Sequence, residues 1–297
     1  RTAGQSVAGS RYTTTGTLQA APGVLDNYTI TSTSADFSIT RAPASVIVNA
    51  SGKLFGDADP ALSGTVSGFL AGDNVTVSYS RTTGETVGGS PYLISANISA
   101  APGVLDNYTI TNTPASFTIS NSAQTIAFAP LADKTYGDAA FTLTGTASSG
   151  LIITYTSSDP AVASVSGTTV TIHKAGTVTI TASQPGNGNY SAAAPVSRTF
   201  TVWKKAASLA ATAQDKVYGT PDPSFTGTLT GFLAGDDVTA TYSRTAGESV
   251  AGSPYTITGT LNAAPGVLDN YTITSTAADF SITRVPASVI VNASGKL

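Results

Sequence analysis

The first 54 residues return at the far end of the chain. Arg1–Leu54 and Arg244–Leu297 share 48 of 54 positions at an offset of 243 residues, differing only at Gln5/Glu248, Arg11/Pro254, Thr14/Ile257, Gln19/Asn262, Ser34/Ala277 and Ala42/Val285. A weaker echo begins at Arg81, and the run PGVLDNYTIT starts at Pro22, Pro102 and Pro265, spaced 80 and 163 residues apart. The unit is therefore roughly 81 residues, and three units make the longer period. Self-similarity at a fixed period is the signature of an array of small modules that lean on their neighbours. The chain reads as a window of such an array, opening inside one module and ending just after the start of another.

A module this small buries only a modest core. Charged residues make up 10% of the chain, against the roughly 25% of ordinary soluble domains, and Ser and Thr take over the solubilising role. The net charge is −3 and the densest basic cluster is Lys204-Lys205, so a footprint for nucleic acid is missing. No apolar run reaches the 18 residues of a membrane span. Cysteine and methionine are both absent, which removes disulfide staples, thiol catalysis and thiolate metal sites. The same absence suits an oxidising exterior. It equally follows if every repeat copied one ancestor.

Strand signals dominate. Ser45–Asn49, Val75–Tyr79, Tyr108–Thr111 and Phe117–Ile119 are short, rich in β-branched and aromatic residues, and bounded by breakers. Asn270–Thr274 and Asp279–Thr283 alternate apolar with polar residues, as half-buried strands do. Breakers recur every 8–12 residues, the spacing of a sandwich or barrel. The expected class is all-β: tandem Ig-like β-sandwich modules of about 81 residues arranged end to end, with a β-grasp-like variant as the alternative. The recurring segments divide the chain into 1–41 (the back half of a module), 42–120, a divergent module 121–204, 205–284, and the first strand of a further module at 285–297.

The complete copies share ordered landmarks. These are Lys53-Leu54-Phe55-Gly56 and Lys216-Val217-Tyr218-Gly219, then Asp59-Pro60 and Asp222-Pro223, then Gly68–Asp73 and Gly231–Asp236. Tyr-Ser-Arg-Thr, Ser-Pro-Tyr and Asp-Asn-Tyr follow, while the middle copy keeps Lys134-Thr135-Tyr136-Gly137-Asp138. This order resembles the MBG/YDG repeats of large bacterial surface proteins, and the middle module resembles the bacterial Ig-like repeats found beside them. Two copies depart from the pattern, with Gly219-Thr220-Pro221 in place of Gly-Asp and Phe55 in place of Tyr. The resemblance implies an extracellular stalk or adhesin segment without catalytic activity.

No catalytic constellation is complete. His173 is the sole histidine, and alternation with Val170 and Ile172 sets it on the polar face of its strand. Glu85 and Glu248 align with Gln5, and an essential acid does not tolerate an amide, so these positions read as hydrogen-bonding oxygens. The loop carboxylates Asp57, Asp59, Asp73, Asp222, Asp236 and Asp237 are calcium candidates, with turn chemistry as the alternative reading. Lys53, Lys134 and Lys216 pair with a nearby Asp or, on a second reading, form isopeptide cross-links. Trp203 reads as a packing residue at a module junction. Eight Asn-x-Ser/Thr sequons (Asn27, Asn49, Asn74, Asn97, Asn107, Asn189, Asn270 and Asn292) follow from the Thr-rich composition.

Two functions compete. One is a mechanical spacer or filament on a cell surface, partnered by neighbouring modules and by lateral self-association. The other is an adhesive repeat binding glycan or mucin through Tyr92 and Tyr255, with Tyr12 at the equivalent place in the first copy.

Overall fold

The computed structural model describes residues 6–291. They form 25 strands and eight short 3-10 turns, with no α-helix among the described residues. The chain is all-β, and a β-grasp, which needs a helix to wrap, is set aside. Two compact units are present: residues up to Gln124 with Pro185–Ala192, and Thr125–Gln184 with Ala193 onward.

In the first unit, residues 42–120 build two facing sheets. One has the order Gly64–Ser67, Ala42–Val48, Tyr108–Thr113, and the other Ser51–Leu54, Ala115–Ser120, Tyr92–Ser99, Thr76–Arg81. The opening segment serves both sheets. Ala42–Val48 runs parallel to Tyr108–Thr113, with Ala42 opposite Tyr108 and Ile47 opposite Thr113. The chain then jogs at Asn49-Ala50 and enters the second sheet, where Ser51–Leu54 runs parallel to Ala115–Ser120. Alternation places Ala44, Val46 and Val48 in the core and turns Ile47 outward. Val48, Ile94, Phe117 and Ile119 close the core between the sheets.

The second unit repeats this plan at 205–283. Gly227–Thr230, Lys205–Ala211 and Tyr271–Thr276 form one sheet, and Gln214–Val217, Ala278–Thr283, Tyr255–Asn262 and Thr239–Arg244 form the other. Its core is Ile257, Phe280 and Ile282. Residues 125–184 and 193–203 carry a larger core, which includes Phe128, Leu143, Val178, Ile180 and Phe200. There Lys134–Thr135, Val196–Trp203, Gly176–Ser183 and Thr154–Ser157 make a four-stranded sheet facing Phe141–Thr142, Thr169–Ile172 and Ala163–Ser166.

Trp203 corrects the sequence reading. In Val196–Trp203, Phe200 and Val202 point inward, so alternation sends Trp203 outward, 58% exposed. Its indole N–H donates to Asp133 Oδ2 at 3.2 Å, and its ring does not pack into a junction. His173 is exposed as expected, and its Nε2 meets Ser164 Oγ at 2.7 Å across a hairpin.

Tyr12–Thr14 pairs with Ala35–Phe37 in a two-stranded sheet, and Tyr28–Thr33 is not a strand.

Candidate functional site

The densest polar constellation occurs twice, once in each complete copy. Ser51–Leu54 is laid against Ala115–Ser120 with Lys53 opposite Ile119, which turns the lysine inward and Leu54 outward. The Lys53 side chain keeps 6% of its exposure. Its Nζ meets Asp59 Oδ1 at 2.8 Å and Glu85 Oε2 at 2.5 Å. Arg81, at the end of Thr76–Arg81, closes the ring. Its Nε and a terminal nitrogen grip both oxygens of Asp59 at 2.6 and 3.0 Å, the terminal nitrogen also reaches Glu85, and the other donates to Gly84 O at 2.7 Å. The guanidinium lies 4.7 Å over the Phe117 ring and 5.4 Å from that of Tyr92. Lys216, Asp222, Arg244 and Glu248 reproduce the quartet over Phe280 and Tyr255.

Such pairing explains how two cations sit against a core. A desolvated charge is tolerated when it is paired and its donors are filled. The Arg81 guanidinium and the Lys53 ammonium hold Asp59 down to about 2, and Arg244 with Lys216 does the same to Asp222. Glu85 and Glu248 are pulled below the usual carboxylate range by the same cations. Lys53 and Lys216 are pushed up by their carboxylates. A Lys–Asn isopeptide bond would need a neutral lysine amine against an asparagine amide, whereas Lys53 and Lys216 meet the carboxylates of Asp59 with Glu85 and of Asp222 with Glu248. Lys134 departs from its counterparts, lying 4.9 Å over the Phe141 ring.

The other acidic candidates are committed locally. Asp73 accepts from Tyr108 OH, which itself accepts from Leu70 N–H at 3.0 Å. Asp236 repeats this with Tyr271 OH and Leu233 N–H. Asp57 N–H closes a turn onto Leu54 O at 3.2 Å. Asp237 sits at φ 47°, as Asn74 does in the other copy, and that left-handed turn position suits either residue. Among the described residues no three His, Asp or Glu side chains converge into a group that could hold a metal. Tyr92 and Tyr255 are half-buried; each hydroxyl donates to a backbone carbonyl at 3.0 Å, that of Thr86 or Ser249, and accepts from the same residue's N–H.

A second recurring device joins one stretch of repeat to the next inside each unit. Asn107 Oδ1 accepts from Val7 N–H at 2.9 Å, and Arg41 Nε holds the same turn through Asp106 O at 3.0 Å. Asn189 Oδ1 accepts from Val87 N–H at 3.1 Å, while the Tyr190 ring meets Phe55 edge-on at 5.3 Å. Asn270 Oδ1 accepts from Ala175 N–H at 2.9 Å, and Tyr271 meets Tyr136 edge-on at 5.6 Å. Tyr136 OH also donates to both oxygens of Asp236, at 3.0 and 3.1 Å. Burial and this carboxylate push Tyr136 up, and the same two causes raise Tyr271 to about 12.

Asn107, Asn189 and Asn270 thus play one role: each amide oxygen accepts from a backbone donor 100, 102 or 95 residues away, and the Tyr190 and Tyr271 rings meet an aromatic ring of that distant stretch. Sequence reasoning saw Asn107 and Asn270 as part of the Asp-Asn-Tyr landmark and all three asparagines as sequons, and assigned them no bond. The available signal was Gly188-Asn189-Tyr190, an Asn-Tyr kept in the divergent copy.

No curated protein matches the chain. Among solved structures it is similar to Drosophila N-cadherin EC1-4 (10% identity, 83% of this chain, 73% of that chain, TM-score 0.25). It is also similar to the Sidekick-1 immunoglobulin domains 1-5 (10%, 84% and 61%, 0.32) and to the titin I-band fragment I67-I69 (11%, 82% and 97%, 0.27). Likeness at that level carries nothing about function. The family model of the MBG domain (YGX type) matches residues 44–118 and 208–281, half of the chain and both complete ion quartets. The chain belongs to the MBG domain family of the YGX type.

Proposed function

We propose that this chain is a spacer: a repeat segment of an extracellular bacterial surface protein, in which the Asn-Tyr joints stiffen the passage from one repeat to the next. The observation that carries this reading is the recurrence of one joint, with Asn107, Asn189 and Asn270 each accepting a backbone N–H from a distant repeat. Joints held by a hydrogen bond and an edge-on ring pair leave little freedom for a hinge. The quartets support the same role from inside each repeat. Their nucleophiles and bases are all engaged with one another, and catalysis forms no part of the proposal. Among the described residues no helix is long and apolar enough to cross a membrane.

Small-angle scattering of the full chain tests the proposal. A spacer gives an elongated profile whose largest dimension shortens, or whose flexibility rises, in the combined Asn107→Ala and Asn270→Ala variant. A compact profile, or one indifferent to both substitutions, sinks it. The adhesive alternative at Tyr92 and Tyr255 requires the tyrosines to leave their turns; mucin capture abolished by Tyr255→Ala would support that alternative.

A further inference from the structure

The sole tryptophan of the chain is held open to solvent. Trp203 ends the strand Val196–Trp203 of the divergent repeat, outside both stretches that the family model matches. Its orientation is fixed. The indole N–H donates to Asp133 Oδ2 at 3.2 Å, and Asp133 Oδ1 accepts from Thr201 N–H at 2.7 Å. A ring pinned through its one polar atom has only apolar surface left to offer, and its ordering entropy is already lost on folding.

The surface beside it is a ladder of hydroxyls. Alternation turns Thr199 and Thr201 outward with Trp203, and on the neighbouring strand Thr179 stands opposite Thr199 and Thr177 opposite Thr201. The Thr179 and Thr199 hydroxyls meet at 2.7 Å. Cations gather at the Trp203 end. Gly176 is opposite Val202, so Lys174 and Lys204 both leave by that end of the sheet, and Lys205 follows. Lys174 and Lys204 are exposed and Lys205 is half-buried. Among the described residues every ion pair belongs to Lys53, Arg81, Lys216 or Arg244, which leaves these three lysines without a carboxylate.

We propose that this face binds an acidic polysaccharide, with a sugar ring stacked on Trp203, ring hydroxyls on the threonines and a uronate carboxylate at the lysines. A sugar ring presents an apolar C–H face rimmed by hydroxyls, and an aromatic plane beside a row of hydroxyls complements both. Lysines without a carboxylate of their own favour a polymer that carries carboxylates over a neutral one. A protein partner would ask for an apolar core around the ring, and the threonine ladder supplies none. The face is separate from the Asn-Tyr joints, so it stands or falls independently of the spacer reading.

Trp203 reports on its own site. Acrylamide quenching of its emission is followed while the full chain is titrated with oligomers of galacturonate, of guluronate and of hyaluronan, and binding is measured in parallel by calorimetry. The expected result is a uronate that shields Trp203 from acrylamide, with an affinity that falls as salt rises. Trp203→Ala weakens the calorimetric binding at least about tenfold, and Trp203→Phe, which keeps a ring, restores part of it. Because residue 203 is exposed, circular dichroism stays unchanged in both variants. The combined Lys174→Gln and Lys204→Gln variant binds more weakly and with a flatter salt dependence. The methyl ester of the same galacturonate, with the ring but without the charge, also binds more weakly. Silence from every uronate overturns the proposal, and so does undiminished binding in Trp203→Ala. Polyphosphate bound as tightly as uronate, without shielding of Trp203, overturns it as well, since that marks lysines that attract any polyanion.

Discussion

Replacing Asn270 by alanine isolates the joint in the second unit. Asn270 is 5% exposed, and its Oδ1 is the acceptor for Ala175 N–H at 2.9 Å. Truncation leaves that donor without its partner in a half-buried site, which costs about 1–3 kcal/mol. The ring contact between Tyr136 and Tyr271 and the Tyr136–Asp236 bonds remain, so the joint loosens without coming apart. An opening equilibrium shifted by that amount raises exchange of the Ala175 amide by about 5- to 150-fold. Hydrogen exchange read by mass spectrometry on a peptide spanning Ile172–Val178 measures it directly. The Asn270→Asp variant keeps an acceptor oxygen and retains most of the protection. The sole tryptophan supplies a second readout, because Trp203 sits in this unit and its fluorescence follows urea unfolding. With a slope of about 1–3 kcal/mol per molar urea, the midpoint falls by about 0.3 to 3 M. Unchanged Ala175 exchange in Asn270→Ala would refute the joint as an energetic element. Equal loss in Asn270→Ala and Asn270→Asp would show that side-chain volume, not the hydrogen bond, matters.

The quartets predict a pH profile. Asp59 and Asp222 fall from 3.8 to about 2 on folding, so between those values the native state binds fewer protons than the unfolded chain and stability drops as pH falls. Lys53 and Lys216 are raised above 10.5, so their contribution is complete below that value and disappears as pH climbs past it. The combined Asp59→Asn and Asp222→Asn variant should flatten the acid limb of urea midpoints measured against pH, and Asp222→Asn should lower the midpoint more than Glu248→Gln, because Asp222 receives both cations in a less exposed position. Phe117→Ala removes a fully buried ring beneath Arg81 and should cost about 3–5 kcal/mol in urea unfolding. A chelator should leave the melting curve unmoved, since Asp59 and Asp222 are taken by cations and Asp73 and Asp236 by tyrosine hydroxyls; a drop in melting temperature would return calcium to these loops.

Much of the architecture was legible because it is local. Alternation in Asp279–Thr283 marks a half-buried strand, and the structure places a strand at Ala278–Thr283 with Phe280 and Ile282 inside. Lys216 misleads for a reason that is not local. Alternation in Gln214–Val217 is obeyed, but the parallel neighbour fixes its phase, so the lysine is buried and Val217 is 40% exposed. The sequence displayed Lys216, Asp222, Arg244 and Glu248 as separate landmarks, and only the folding of four segments onto one another made them a quartet. The joints are less legible still, because an asparagine in a turn and a backbone N–H about 95 residues away share no local pattern.

The repeat itself draws the line most sharply. Composition, period and alternation determine by themselves that this chain is a series of small β units of one kind. Whether a given hexapeptide becomes a strand is decided elsewhere. YTITST is a strand at Tyr271–Thr276 and not at Tyr28–Thr33, although the letters are identical. A strand's hydrogen bonds are made to another segment, so its state depends on whether that segment is there to receive them.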